Sequence, residues 1–200
     1  MVSPKYAKSH ILKIGNPTNP ISVQLYLDYA CPFSAKIFKK IDTELIPKLE
    51  SKHRDAIQFE FLNVIQPWHP TSAIIHEVAI GYAKVYPENF WKYSAVLFDN
   101  TPNFYDVPMY DLSRKEITQK LINLAVDKLG ADEAKLWEVL KIHEDNSGTD
   151  VTKDLKYFTR YHRTTGVHVT PTVFVDGIVV PNLESSTPVD KMVEILETFL

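Results

Sequence analysis

Cys31 is the only thiol in the chain, and it stands where an apolar run, Val23 to Ala30, gives way to helical spacing. Pro32, Phe33 and Ser34 follow it, so the pattern is Cys-x-x-Ser at a strand-to-helix junction. A thiol at a helix N-terminus faces unpaired backbone N–H groups and the positive end of the helix dipole. Both favour thiolate over thiol, which is how a nucleophilic cysteine is made. Pro32 suits the first turn, where its missing N–H leaves nothing unpaired. With serine at position 34 the chain cannot close a disulfide within itself, so any redox cycle must borrow an external thiol. The competing reading is a buried structural cysteine, since free cysteines are among the most buried residues. Ser34 either donates to the Cys31 sulfur or satisfies local backbone.

Trp68 and His69 follow a second apolar run, Ile57 to Val64. A right-handed crossover makes that strand parallel to the one carrying Cys31, so both strands end at the same edge. His69 is thereby brought toward Cys31, to stabilise a thiolate or give a proton, or else is a loop histidine pinned between Pro67 and Pro70. His168 lies near Pro171 but suits a surface position. His53, His76, His143 and His162 make no ligand spacing with Cys31, and no metal site is expected. A carboxylate beside the thiol, such as Asp28, would oppose the helix dipole and is given no role. The aromatic set from Tyr82 to Tyr105 reads as helical core, part of it roofing the site.

The elements that must position these groups fit one globular unit of 200 residues, 44% of them apolar. A net charge of −3 without a basic stripe argues against nucleic acid, and no window is long and apolar enough for a signal peptide or membrane span. One cysteine points to a reducing compartment, the cytoplasm. His10 to Ile14 and Ser22 to Asp28 read as strands, separated by the Gly15–Pro20 breaker. A helix follows Cys31, which Pro47 is expected to kink or end, and Ile57 to Val64 alternates as a strand with two unlike faces. From Gln66 to Gly166 only helical patterns appear, with a capping box at Ser113–Glu116 and an irregular aromatic loop at Asn100–Pro108. Strands return at Pro171–Val175 and Ile178–Val180 around an Asp176-Gly177 turn, and a last helix starts near Pro188.

Cys31-Pro32-Phe33-Ser34, the Thr170-Pro171-Thr172 segment with Phe174-Val175-Asp176-Gly177, and the helical insertion together resemble the DsbA-like family of the thioredoxin superfamily. The likeness spans nearly the whole chain and implies an α/β, thioredoxin-like fold: a central mixed sheet flanked by helices. Residues 8–65 and 167–200 would form the thioredoxin-like domain and residues 66–166 the inserted helical subdomain. In that family the proline matching Pro171 is cis and lies against the cysteine, and the residue matching Thr170 offers backbone groups to the bound thiol substrate. The family's second cysteine is replaced here by Ser34. Cys-x-x-Ser is similar to the motif of monothiol glutaredoxins, and the kappa class of glutathione transferases shares the inserted fold. Both use glutathione. The resemblance implies a monothiol thiol–disulfide oxidoreductase with Cys31, Ser34 and His69 as catalytic residues and Pro32, Phe33, Trp68, Thr170 and Pro171 binding substrate. Glutathione is the expected co-substrate, with no tightly bound cofactor. A kappa-like transferase and a non-catalytic binding protein are the alternatives.

Overall fold

The strand that runs into Cys31 is the second of five in one mixed sheet of order β1-β3-β2-β4-β5. The strands are β1 (Ile11–Lys13), β2 (Ile21–Leu27), β3 (Ile57–Asn63), β4 (Thr172–Val175) and β5 (Ile178–Val179). The computed structural model describes residues 2–200. β2 pairs with β3 in parallel, Val23 opposite Phe59 and Leu27 opposite Asn63, and with β4 antiparallel, Leu25 opposite Val173. Two parallel neighbours need a crossover, and helices supply it. After a short N-terminal helix α1 (Ala7–His10), the crossover runs through α2 (Pro32–Lys40) and α3 (Ile46–Lys52).

Pro47 neither ends nor breaks this helix. The preceding turn, Ile41–Leu45, is π-helical, and the Ile46 N–H bonds five residues back to the Ile41 carbonyl. Widening the turn just before a residue that cannot donate absorbs the mismatch, and the chain continues helically to Lys52.

β3 keeps two chemically unlike faces, but both are buried. The polar face is covered because α9 (Thr152–Thr164) packs on it and because Glu60 gathers donors there. Its carboxylate accepts from the Val2 backbone N–H at 2.9 Å and from the Ser22 hydroxyl at 2.6 Å.

Between β3 and β4 the chain is helical: α4 (Ser72–Val85), α5 (Phe90–Asp99), α6 (Asp106–Met109), α7 (Arg114–Leu129), α8 (Glu133–Leu140) and then α9. The capping box forms at Ser113 and Glu116, and Gly130 ends α7 in the left-handed conformation. The stretch Asn100–Pro108 is more regular than expected, with a 3-10 turn at Thr101–Phe104 leading into α6. Pro102, the second residue of the turn, presets its own φ, and the buried Thr101 hydroxyl donates back to the Phe98 carbonyl at 3.0 Å. Asp176 and Gly177 both take positive φ, as a tight hairpin turn requires, and α10 (Val189–Glu197) closes the fold.

Candidate active site

Cys31 occupies the N-cap of α2, with φ −88° and ψ 121°, and Pro32 begins the helix. The thiol is buried, 4% exposed, and its Sγ donates to the Thr170 carbonyl oxygen at 3.4 Å. The Thr170–Pro171 peptide bond is cis, and β4 starts at the next residue. The antiparallel pairing of β4 with β2 therefore carries Thr170 to the end of the strand that delivers Cys31.

Ser34 is wholly buried, and its hydrogen bond goes to the backbone rather than to the sulfur. Its Oγ accepts the Asp28 backbone N–H at 3.2 Å, so the hydroxyl stitches the strand end to the helix. His69 likewise makes its hydrogen bond elsewhere, its Nδ1 lying 2.8 Å from Asp28 Oδ2.

Asp28 is the group around which the site's polar contacts converge. It is 0% exposed. Oδ1 accepts from the Ala30 N–H at 2.9 Å and from the Ser72 hydroxyl at 2.8 Å. Oδ2 accepts from the Gln66 N–H at 3.3 Å as well as from His69. A second imidazole approaches from inside, His76 Nε2 standing 3.4 Å from Oδ1. Burial alone would push the carboxyl up. The bond from His69, the nearby imidazole of His76 and the Ala30 amide outweigh it and hold the group well below the usual carboxylate range. In return the bond to Asp28 raises His69 above its ordinary value.

Two further residues belong to the site. Gln66 is buried, and besides bonding Asp28 through its backbone it donates from Nε2 to the His168 carbonyl at 3.1 Å. It thus ties the loop holding His69 to the loop holding Thr170, and His168 takes part through its backbone. Tyr105, at the start of α6, has its phenol raised first by burial and then by the charge of Cys31, whose field reaches it. Phe33, Trp68 and Val169 are exposed by 60%, 57% and 63%, each on a segment that carries a site residue. Among the described residues no three His, Cys, Asp or Glu side chains converge in ligating geometry. An apolar cavity of about 700 Å³ between α4, α7 and α8, lined by Trp137, Leu140 and Ile142, contains none of these site residues.

Solved structures of similar shape share this architecture. A candidate protein-disulfide isomerase from Pseudomonas syringae matches with a TM-score of 0.74 at 23% identity, covering 96% of this chain and 99% of that one. BdbD from Bacillus subtilis matches at 0.64 and 24% identity, covering 96% and 92%. The thiol-disulfide exchange protein alpha-DsbA2 from Wolbachia pipientis matches at 0.68 and 16% identity, covering 100% and 94%. No curated protein matches the chain in sequence. Residues 7–197 match the family model described as thioredoxin, and with Cys31 at the helix start facing Thr170 and a cis Pro171, the chain belongs to the thioredoxin family.

Proposed function

We propose that the protein is a monothiol thiol–disulfide oxidoreductase with Cys31 as its nucleophile and glutathione as co-substrate. The observation that supports this most directly is the contact of Cys31 Sγ with the Thr170 carbonyl, at a helix start, in a chain with no other thiol. The Cys31 thiolate attacks one sulfur of a mixed disulfide. That S–S bond breaks, a new one forms to Cys31, and the other sulfur departs as a thiolate that takes up a proton. A glutathione thiolate then attacks the Cys31 disulfide and frees Cys31, so each step exchanges one disulfide for another with no net electron left over. A reducing compartment supplies that second thiol. The exposed apolar rim of Phe33, Trp68 and Val169 suits a partner thiol carried on a peptide.

The test is glutathione-coupled reduction of a peptide–glutathione mixed disulfide by the wild-type protein and by Cys31→Ser. Activity in the first and its loss in the second is the expected result. Equal rates would end the proposal, and conjugation of an aromatic halide above the uncatalysed rate, without disulfide exchange, would replace it with the transferase reading.

A further inference from the structure

A buried line of polar side chains leads away from the active-site carboxylate to the N-terminal helix α1. His76, on α4, points Nε2 at Asp28 Oδ1 across 3.4 Å and has no hydrogen-bond partner on that nitrogen. Its Nδ1 lies 2.9 Å from Asn63 Nδ2, at the end of β3. Asn63 Oδ1 lies 2.9 Å from Nε2 of His10, on α1. His10 Nδ1 lies 2.7 Å from the Ser9 hydroxyl, which also has the Tyr6 carbonyl within 3.2 Å. His10, Asn63 and His76 are all buried, and the His10 ring is stacked between Phe90 and Phe158, 4.1 and 4.7 Å between centroids.

Such a line has two arrangements in which every bonded partner is kept. In one, Ser9 donates to His10 Nδ1, His10 Nε2–H donates to Asn63 Oδ1, and the Asn63 amide N–H donates to His76 Nδ1. His76 then carries one proton, on Nε2, aimed at Asp28. In the other, the Asn63 amide is turned over, so that Oδ1 accepts from His76 Nδ1–H and the amide N–H donates to His10 Nε2. His10 moves its single proton to Nδ1 and donates to Ser9, whose hydroxyl turns to the Tyr6 carbonyl. His76 now carries two protons. The amide's oxygen and nitrogen occupy equivalent positions in the two states, which differ by one proton: it enters from water at the half-buried Ser9 hydroxyl, Ser9 passes its own hydrogen to His10 Nδ1, and the His10 Nε2 proton goes to His76 Nδ1 by way of the Asn63 amide as it turns over.

We propose that His76 is a second proton site of the active centre, loaded and unloaded by reversal of the Asn63 amide with a matching tautomer change at His10. Burial supports the neutral role of His10, pushing its ring down to about 3 against the opposing bond to Asn63. The groups facing His76 are Asp28, Tyr29 and His10, with His162 from α9 acting through its charge and His69 on the other oxygen of Asp28. Asp154 acts on the far end, through His10. Because His76 and His69 share one carboxylate, charging His76 weakens the hold of Asp28 on the proton of His69. His69 then gives its Nε2 proton to the departing thiolate more readily, keeping Nδ1–H on Asp28 and becoming neutral imidazole as the thiolate becomes thiol. This consequence rests on the exchange reaction proposed above, whereas the two-state line itself does not.

The experiment is nitrogen NMR of the histidine rings in the full-length protein, across the pH range in which it stays folded, for wild type and Asn63→Asp. In the wild type, His76 should pass from one ring proton to two while His10 changes from Nε2–H to Nδ1–H at the same pH, and His69 should show an inflection there. In Asn63→Asp, whose carboxylate accepts from both rings, His76 should hold two protons throughout and His10 should stay on Nε2–H. If that variant does not fold, the wild-type titration decides alone. A wild-type His76 that keeps one proton over the whole range, or gains its second with His10 unchanged, overturns the proposal. Loss of the exchange activity assignment through Cys31→Ser would leave these ring signals as predicted, so the two failures are distinguishable.

Discussion

Asp28 Oδ2 and His69 Nδ1 meet at 2.8 Å, with the carboxylate fully enclosed and the ring 22% exposed at the mouth of the site. The pair joins the chemistry of the active site to the stability of the fold, because the carboxylate also receives the Ala30, Gln66 and Ser72 donors.

Replacing Asp28 by Ala leaves those donors buried and unpaired. The expected loss of stability is about 3–5 kcal/mol, the size found when one partner of a buried charged pair is removed. Urea unfolding followed by circular dichroism measures it, and a loss under about 1 kcal/mol would mean that water replaces the carboxylate.

The pH dependence follows from the two shifts. Asp28 is held below its ordinary value of 3.8, so its contribution is present above that value and is lost only as pH falls through its lower folded value. His69 is raised above 6.5, so its contribution is complete below 6.5 and is lost as pH rises through its higher folded value. The pair should stabilise most between about 4 and 6.5. Unfolding midpoints measured across pH should decline above that window in the wild type and stay flatter in His69→Gln.

Ser34→Ala should cost about 1 kcal/mol, since the Oγ that accepts the Asp28 N–H is lost, and should change exchange activity little. Ser34→Cys should gain an internal disulfide with Cys31 on mild oxidation, read as the loss of two hydrogens by mass. A large fall in activity in Ser34→Ala at unchanged stability would contradict the geometry.

Phe33→Ala and Trp68→Ala remove exposed rings, so stability should stay within about 0.5 kcal/mol. The KM for a peptide mixed disulfide should rise several-fold while kcat holds. An unchanged KM would show that the apolar rim does not touch the substrate.

The sheet and the thiol end of the site were legible because they depend on short-range signals. An apolar run ending at Cys31, an Asp176-Gly177 turn and a helix-length crossover leave one way to bring Thr170 to the thiol. Asp28 carried no local signal for its role: its partners Gln66, His69, Ser72 and His76 lie on a distant loop and helix, and only the packing of α4 onto the sheet assembles them. Asn63 reads as an ordinary polar strand end, and His10 as the first residue of a short strand, whereas it ends α1 and β1 starts at Ile11. Their pairing spans 53 residues and has no period or spacing to mark it. The polar face of β3 was visible as alternation, but that Glu60 lies under α9 and the N-terminal segment depends on where the insertion folds back.

The stacking of His10 between Phe90 and Phe158 has a consequence for the order in which the protein is made. Synthesis runs from the N-terminus, so Val2 leaves the ribosome before Glu60 exists to receive its N–H, and His10 before either ring of its slot. The earliest-made segment is therefore among the last to dock. A nascent chain stalled before residue 158 should expose residues 2–10 to a protease, and release of the finished helix should close them in.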